Sequence, residues 1–179
     1  MLRQRLRQDL RGVGILSAAL KKGLLTPEGY ATMIRHTTKL NTPGTRLAEM
    51  DGVHALTDVT GFGLAGHLLE ICRGSKLSAT LRFADLPLIS EAVGFVQEGI
   101  STGASTRNWS GYGTDVALPA GAPEWQQKLL TDPQTSGGLL VACAPEAEAA
   151  VLAELHGAGF PEAAVIGRLD AGPARVGVV

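Results

Sequence analysis

The chain has 179 residues, 45% of them hydrophobic and 18% charged, with a formal net charge of −1. These are the values of a globular domain long enough to bury a core, and they exclude wholesale disorder. The near-neutral balance gives no electrostatic basis for binding nucleic acid or an acidic membrane. No apolar run reaches the roughly 18 uncharged residues that cross a bilayer, and Cys72 and Cys143 lack metal-like spacing, which argues against a disulfide scaffold or a zinc site.

Residues 1–11 carry Arg3, Arg5, Arg7 and Arg11 against Asp9. A signal peptide needs an apolar core next, whereas Gly12-Val13-Gly14 leads quickly to Lys21 and Lys22, so a cytoplasmic chain is expected. This stretch reads as an extension or linker remnant and is expected to be disordered. A short helix is the alternative, because Leu2, Leu6 and Leu10 recur every fourth residue. One domain is expected over residues 12–179.

Thr26-Pro27-Glu28 is a helix start, with a capping hydroxyl and Pro at the first helical position. That helix is expected to run to Leu40 and to end at Asn41-Thr42-Pro43-Gly44, with a second short helix over 45–50. A buried strand is expected over 53–59. A helix follows over 63–72, its apolar side made by Leu64, Leu68, Ile71 and Cys72 and its end set by Arg73-Gly74. Leu77, Ala79, Leu81 and Phe83 alternate as in a half-exposed strand. Further helices are expected over 87–98, 123–130 and 145–156, and strands over 138–143, 164–169 and 175–179. The mixture gives an α/β (α+β) sandwich, a mixed β-sheet flanked by helices.

Residues 55–67 read A-L-T-D-V-T-G-F-G-L-A-G-H, a strand that delivers Asp58 into a Gly-rich turn where a helix begins. Backbone N–H groups at such a helix start can approach an anion closely, and a hard divalent cation wants an oxygen ligand such as a carboxylate. Asp58 reads either as a metal ligand or as a turn cap accepting from Gly61 or Phe62 N–H. Thr57, Thr60, Gly61 and Gly63 are candidates for lining a phosphate site, or the glycines only permit a sharp turn. His67 and Glu70 sit at and beyond the edge of the helix's apolar stripe. In Asp132-Pro133-Gln134-Thr135-Ser136-Gly137-Gly138, Gln134 and Thr135 offer neutral hydrogen-bonding groups, while Ser136 lacks the elbow and partnered base of a nucleophile. Arg107 is a candidate anion anchor through its planar fork, or a surface salt-bridge partner, with Ser105 or Thr106 capping its helix. Lys21 and Lys22 read as a solvated face, and Trp109 and Trp125 as core or interface residues.

Four landmarks occur in a fixed order: Gly12-Val13-Gly14-Ile15-Leu16 with Lys21-Lys22-Gly23-Leu24-Leu25, Ala55 to His67, Thr106-Arg107-Asn108 with Tyr112-Gly113, and Asp132 to Leu140. Together they resemble selenophosphate synthetase (selenide, water dikinase), in the superfamily of aminoimidazole ribonucleotide synthetase. The resemblance covers nearly the whole chain but only about half of a family member, and implies the C-terminal domain over residues 12–179. It implies an enzyme that converts ATP, selenide and water to selenophosphate, AMP and phosphate, with ATP and Mg²⁺ as cofactors. Asp58 is then one metal ligand, and Thr57, Thr60, Gly61, Gly63, Arg107, Gln134 and Thr135 are cofactor-binding. The nucleophile-bearing segment and the other metal-holding aspartates belong to an N-terminal ATP-binding domain not found in this sequence, so no catalytic residue is assigned here and the isolated chain is expected to be inactive.

The intact enzyme is expected to be a homodimer and this chain a monomer. In the family, residues 1–11 would continue a strand and linker from the preceding domain. Other readings are a different ATP-binding enzyme of the superfamily, a non-catalytic module that docks on a separate N-terminal half, or a general small-ligand binder.

Overall fold

The computed structural model describes residues 12–179 in full and residues 4–8 as backbone. Its centre is a seven-stranded sheet in the order β2-β5-β1-β6-β3-β7-β4. The strands are β1 (Gln4–Gln8), β2 (Val53–Asp58), β3 (Leu77–Leu81), β4 (Val116–Ala117), β5 (Leu139–Cys143), β6 (Ala164–Ala171) and β7 (Val176–Val178). β7 runs parallel to both β3 and β4, and the remaining pairs are antiparallel, so the sheet is mixed as expected.

Helices cover both faces because β5 is apolar at every position. Leu140 and Ala142 enter a core with Leu64, Leu68 and Cys72 of α4 (Gly63–Ser75). Leu139, Val141 and Cys143 point the other way, against Leu47 of α3 (Pro43–Ala48) and Val151 and Leu155 of α8 (Glu148–Gly157). This is the alternation of a strand buried on both sides. A third cluster joins α1 (Val13–Lys21), α2 (Pro27–Thr37) and α5 (Ser90–Gln97) through Ile15, Leu16, Met33, Ala92 and Val96, with Leu129 of α7 (Glu124–Leu130). Trp125 packs edge-on against Phe83, with ring centroids 5.6 Å apart, and Trp109 leans on the main core.

Several expectations are corrected. Gln4–Gln8 is a strand within the sheet, paired with β5 at Leu6↔Ala142 and with β6 at Leu6↔Gly167, rather than a disordered or helical extension. A four-residue recurrence of leucine fits one face of a strand as well as one face of a helix, so the spacing could not choose between them. The rest of residues 1–11 lies outside the described residues. Pro43 opens α3 instead of closing a turn, as suits a residue whose missing N–H is not needed there. α4 continues through Arg73-Gly74 to Ser75 and ends where Lys76 turns left-handed at φ 55°. A 3-10 turn over Phe83–Asp85 shortens the expected strand and delays α5 to Ser90.

Candidate functional site

The two Gly-rich segments meet at one end of the sheet. β2 and β5 are neighbours, with Asp58 opposite Leu139, so the loop leaving β2 lies against the loop entering β5. Val59 N–H donates to Gly138 O at 3.0 Å and Gln134 N–H to Thr60 O at 3.0 Å. Gly137 is required at this contact, since a Cβ there would lie 1.9 Å from Val59 O. From α6 (Gly103–Tyr112), Asn108 Nδ2 donates to Gly61 O at 2.8 Å and Thr131 O at 3.0 Å, and the Tyr112 hydroxyl donates to Phe62 O. Three segments distant in sequence are thereby fixed together by backbone and amide hydrogen bonds.

Asp58 is the last residue of β2 and is exposed. Among the described residues its carboxylate takes no hydrogen bond or ion pair, so the turn-cap alternative is not realised. An exposed carboxylate with free lone pairs is open to a hard cation. Thr57, half-buried, donates its hydroxyl to Asp58 O at 3.0 Å. Thr60 Oγ1 lies 3.2 Å from His67 Nε2, and His67 Nδ1 lies 2.9 Å from Glu70 Oε2. His67 is only 7% exposed, so this histidine belongs inside the helix packing and orients Thr60. Gly61 is exposed with nothing within 4 Å of where a Cβ would sit, leaving its backbone open to approach.

Two of the expected ligand residues are committed elsewhere. Gly63 is buried at φ 69°, and a Cβ would sit 2.7 Å from the Thr131 carbonyl carbon, so it faces packed backbone rather than a phosphate. Gln134 is 5% exposed, its Oε1 accepting from Gly12 N–H at 3.3 Å and Val13 N–H at 3.2 Å. Its Nε2 donates to Asp132 O and Oδ2, each at 2.9 Å, and Asp132 Oδ2 also accepts from Ile15 N–H at 3.2 Å. Gln134 and Asp132 therefore cap the start of α1, a helix whose own cap position is a left-handed Gly12 without a side chain. The otherwise unpaired N–H groups of that helix start account for the Asp-x-Gln pair.

Arg107 and Thr135 are both exposed and line a cleft of about 520 Å³ with Lys21, Lys22 and the first turn of α6. From local spacing these lysines read as a solvated face, because nothing in it shows that the end of α1 faces α6 across a cleft. Arg107 also borders a smaller, more apolar hollow of about 260 Å³ walled by Phe62, Gly66, Leu69 and Tyr112. Phe62 is 54% exposed, a large apolar side chain at the tip of the loop that carries Asp58. Thr102, not Ser105 or Thr106, caps α6, and Ser105 instead bonds Thr131 Oγ1 at 2.6 Å.

The arrangement is an α/β domain whose two Gly-rich loops gather at one end of a mixed sheet. The family described as "AIR synthase related protein, C-terminal domain" matches residues 11–179, and the chain belongs to it. Among curated proteins the chain is 60% identical over 168 residues to the selenide, water dikinase of Paraburkholderia xenovorans, covering 94% of this chain and 48% of that protein. It is 61% identical to the selenide, water dikinase of Burkholderia orbicola, covering 93% of this chain and 47% of that protein. The chain thus spans about half the length of the curated relatives it matches. Among solved structures, E. coli HypE superposes with a TM-score of 0.69 at 21% identity, over 99% of this chain and 46% of that one. Thiamine-monophosphate kinase from Stenotrophomonas maltophilia superposes at 0.68 and 18% identity, over 99% and 50%. At these identities the solved structures speak to the fold alone.

Proposed function

We propose that this chain is the C-terminal half of a selenide, water dikinase, contributing one metal-ligating carboxylate and part of the wall of an ATP site. The observation that carries the reading is Asp58: an unpaired, exposed carboxylate held at the junction of two interlocked Gly-rich loops, in a chain 60% identical to proteins of that name. The intact enzyme would transfer the γ-phosphoryl group of ATP to selenide and hydrolyse the remaining ADP, yielding selenophosphate, AMP and phosphate.

The donor set fits Mg²⁺ only as a fraction of a site. Mg²⁺ takes near-octahedral oxygen coordination and keeps its water unless several ligands or phosphates cooperate. Among the described residues no cluster of three or more metal-binding side chains surrounds Asp58. The remaining ligands would come from substrate phosphates and an N-terminal ATP-binding domain. When bound, the metal would neutralise charge on the transferring phosphoryl group. The chain's own residues would position. Asp58 would present its carboxylate, Thr57 would fix the Asp58 backbone, and His67 would orient the Thr60 hydroxyl. Gly61 would leave backbone open to the nucleotide, with Arg107 and Thr135 on the far side of the loop pair. A cytoplasmic, homodimeric whole and a monomeric, inactive isolated chain complete the reading. No helix among the described residues is long and apolar enough to cross a membrane.

The test is a fusion of the N-terminal half of the Paraburkholderia relative to this chain, assayed by ³¹P NMR for ATP- and selenide-dependent selenophosphate. The fusion should make product, the isolated chain should make none, and Asp58→Asn should lower turnover by about a hundredfold or more, the scale of losing a direct electrostatic group. Unchanged turnover in Asp58→Asn would remove the metal-ligand role.

A further inference from the structure

We propose that the cleft between the C-terminal end of α1, the first turn of α6 and Pro133–Thr135 is a binding site for a phosphate-bearing anion, held by Lys21, Lys22 and Arg107. All three cations line the same space of about 520 Å³, within the size range of small-molecule sites, and no acidic side chain lines it with them. Among the described residues none of the three enters an ion pair, whereas Arg46, Arg73, Arg82, Lys128 and Arg168 each have a carboxylate partner. Like charges gathered without counter-charge repel one another in the empty cleft, and an anion relieves that repulsion.

The remaining lining is suited to phosphate oxygens. Ser17, Ser101 and Thr135 bring hydroxyls, and Gly103 and Ala104 bring the first-turn backbone of a ten-residue helix, whose N-terminal end favours negative charge. Arg107 leans back along its own helix toward this turn, its Nη1 3.4 Å from where a Cβ on Gly103 would sit. Asp132 lies fully buried behind Gly14 with Oδ2 already accepting from Ile15 N–H and Gln134 Nε2, and Glu70 borders the neighbouring hollow that Arg107 also lines. Asp58 is not among the residues lining this cleft, so the anion would be held apart from the carboxylate assigned to metal. Arg107 and Thr135 also stand on the proposed ATP-site wall, so the cleft deepens that reading by adding Lys21 and Lys22. Its hold on phosphate does not depend on the reaction a longer protein performs.

The isolated chain is sufficient for the test. Sodium tripolyphosphate, orthophosphate and ATP are titrated separately into it by calorimetry, at low and at raised NaCl. Saturable binding of at least one of these is expected, weakening as salt rises. The Lys21→Ala/Lys22→Ala pair and, separately, Arg107→Ala should each weaken it about tenfold or more, as loss of a charge-assisted hydrogen bond does. Lys128→Ala, outside the cleft, should leave it unchanged. Orthophosphate binding as tightly as tripolyphosphate would identify a single-phosphate site, and ATP binding tightest would identify a nucleotide site. Absence of binding to all three at millimolar concentration, or binding untouched in both variants, overturns the proposal. Failure of the selenophosphate assay leaves these titrations intact, and the reverse also holds.

Discussion

Individual residues in this loop cluster divide into those that face neighbours and those left open. Gly63 and Gly61 stand two positions apart and separate the two roles. At Gly63 a side chain would meet Thr131 backbone at 2.7 Å from a left-handed conformation, so Gly63→Ala should destabilise the fold by about 2 kcal/mol or more. At Gly61 nothing lies within 4 Å, and Gly61→Ala should change stability by less than about 0.5 kcal/mol. Urea unfolding of both variants checks the pair, and equal effects would contradict it. Asn108 holds carbonyls from two loops through one amide, so Asn108→Ala should cost about 1–2 kcal/mol in the same assay. The sequence displayed Asp58 and its glycines clearly, yet it could not tell an exposed glycine from one wedged against the distant end of α7. Gln134 was hidden for the same reason: its partners, Gly12 and Val13 N–H, lie at the opposite end of the chain.

At the scale of elements, legibility followed whether a signal was local. β5 was readable because five consecutive apolar residues demand burial on both faces, and α4 because its leucines share a stripe. α2 was readable from its own Thr26 cap, whose hydroxyl accepts from Gly29 N–H at 3.0 Å. α1 was not, because its cap comes from the Asp132–Gln134 loop instead of a preceding side chain. β1 was missed because a strand whose one apolar residue is Leu6 declares itself only through the partners β5 and β6. Removing residues 1–8 should therefore strip two internal strands of their shared neighbour, and the truncated chain should lose its cooperative thermal transition or aggregate through the exposed edges. A sharp transition at the original temperature would count against β1. At the end of α4, Lys76 occupies a left-handed position that glycine adopts without strain, so Lys76→Gly should raise stability by about 0.5–1 kcal/mol in urea.

At the scale of the whole molecule, the sheet brings two Gly-rich loops together at one end and buries its core between helices on both faces. Its stability should fall on the alkaline side. Burial pushes the Cys72 thiol up to about 11 from its ordinary value of 9.0, and also pushes the Tyr112 phenol up. A raised folded pKa means the native state holds its proton more tightly, so this contribution is complete below pH 9.0 and declines as pH rises toward about 11. Urea midpoints measured across that interval should fall, and the fall should be smaller in Cys72→Ala. The most direct measurement of the central claim is magnesium-dependent selenophosphate formation by the fused protein, with and without Asp58→Asn, beside this chain alone. A requirement for both the fused half and the Asp58 carboxylate is the result the account predicts. Turnover by the lone chain, or full activity with asparagine at that position, would contradict it.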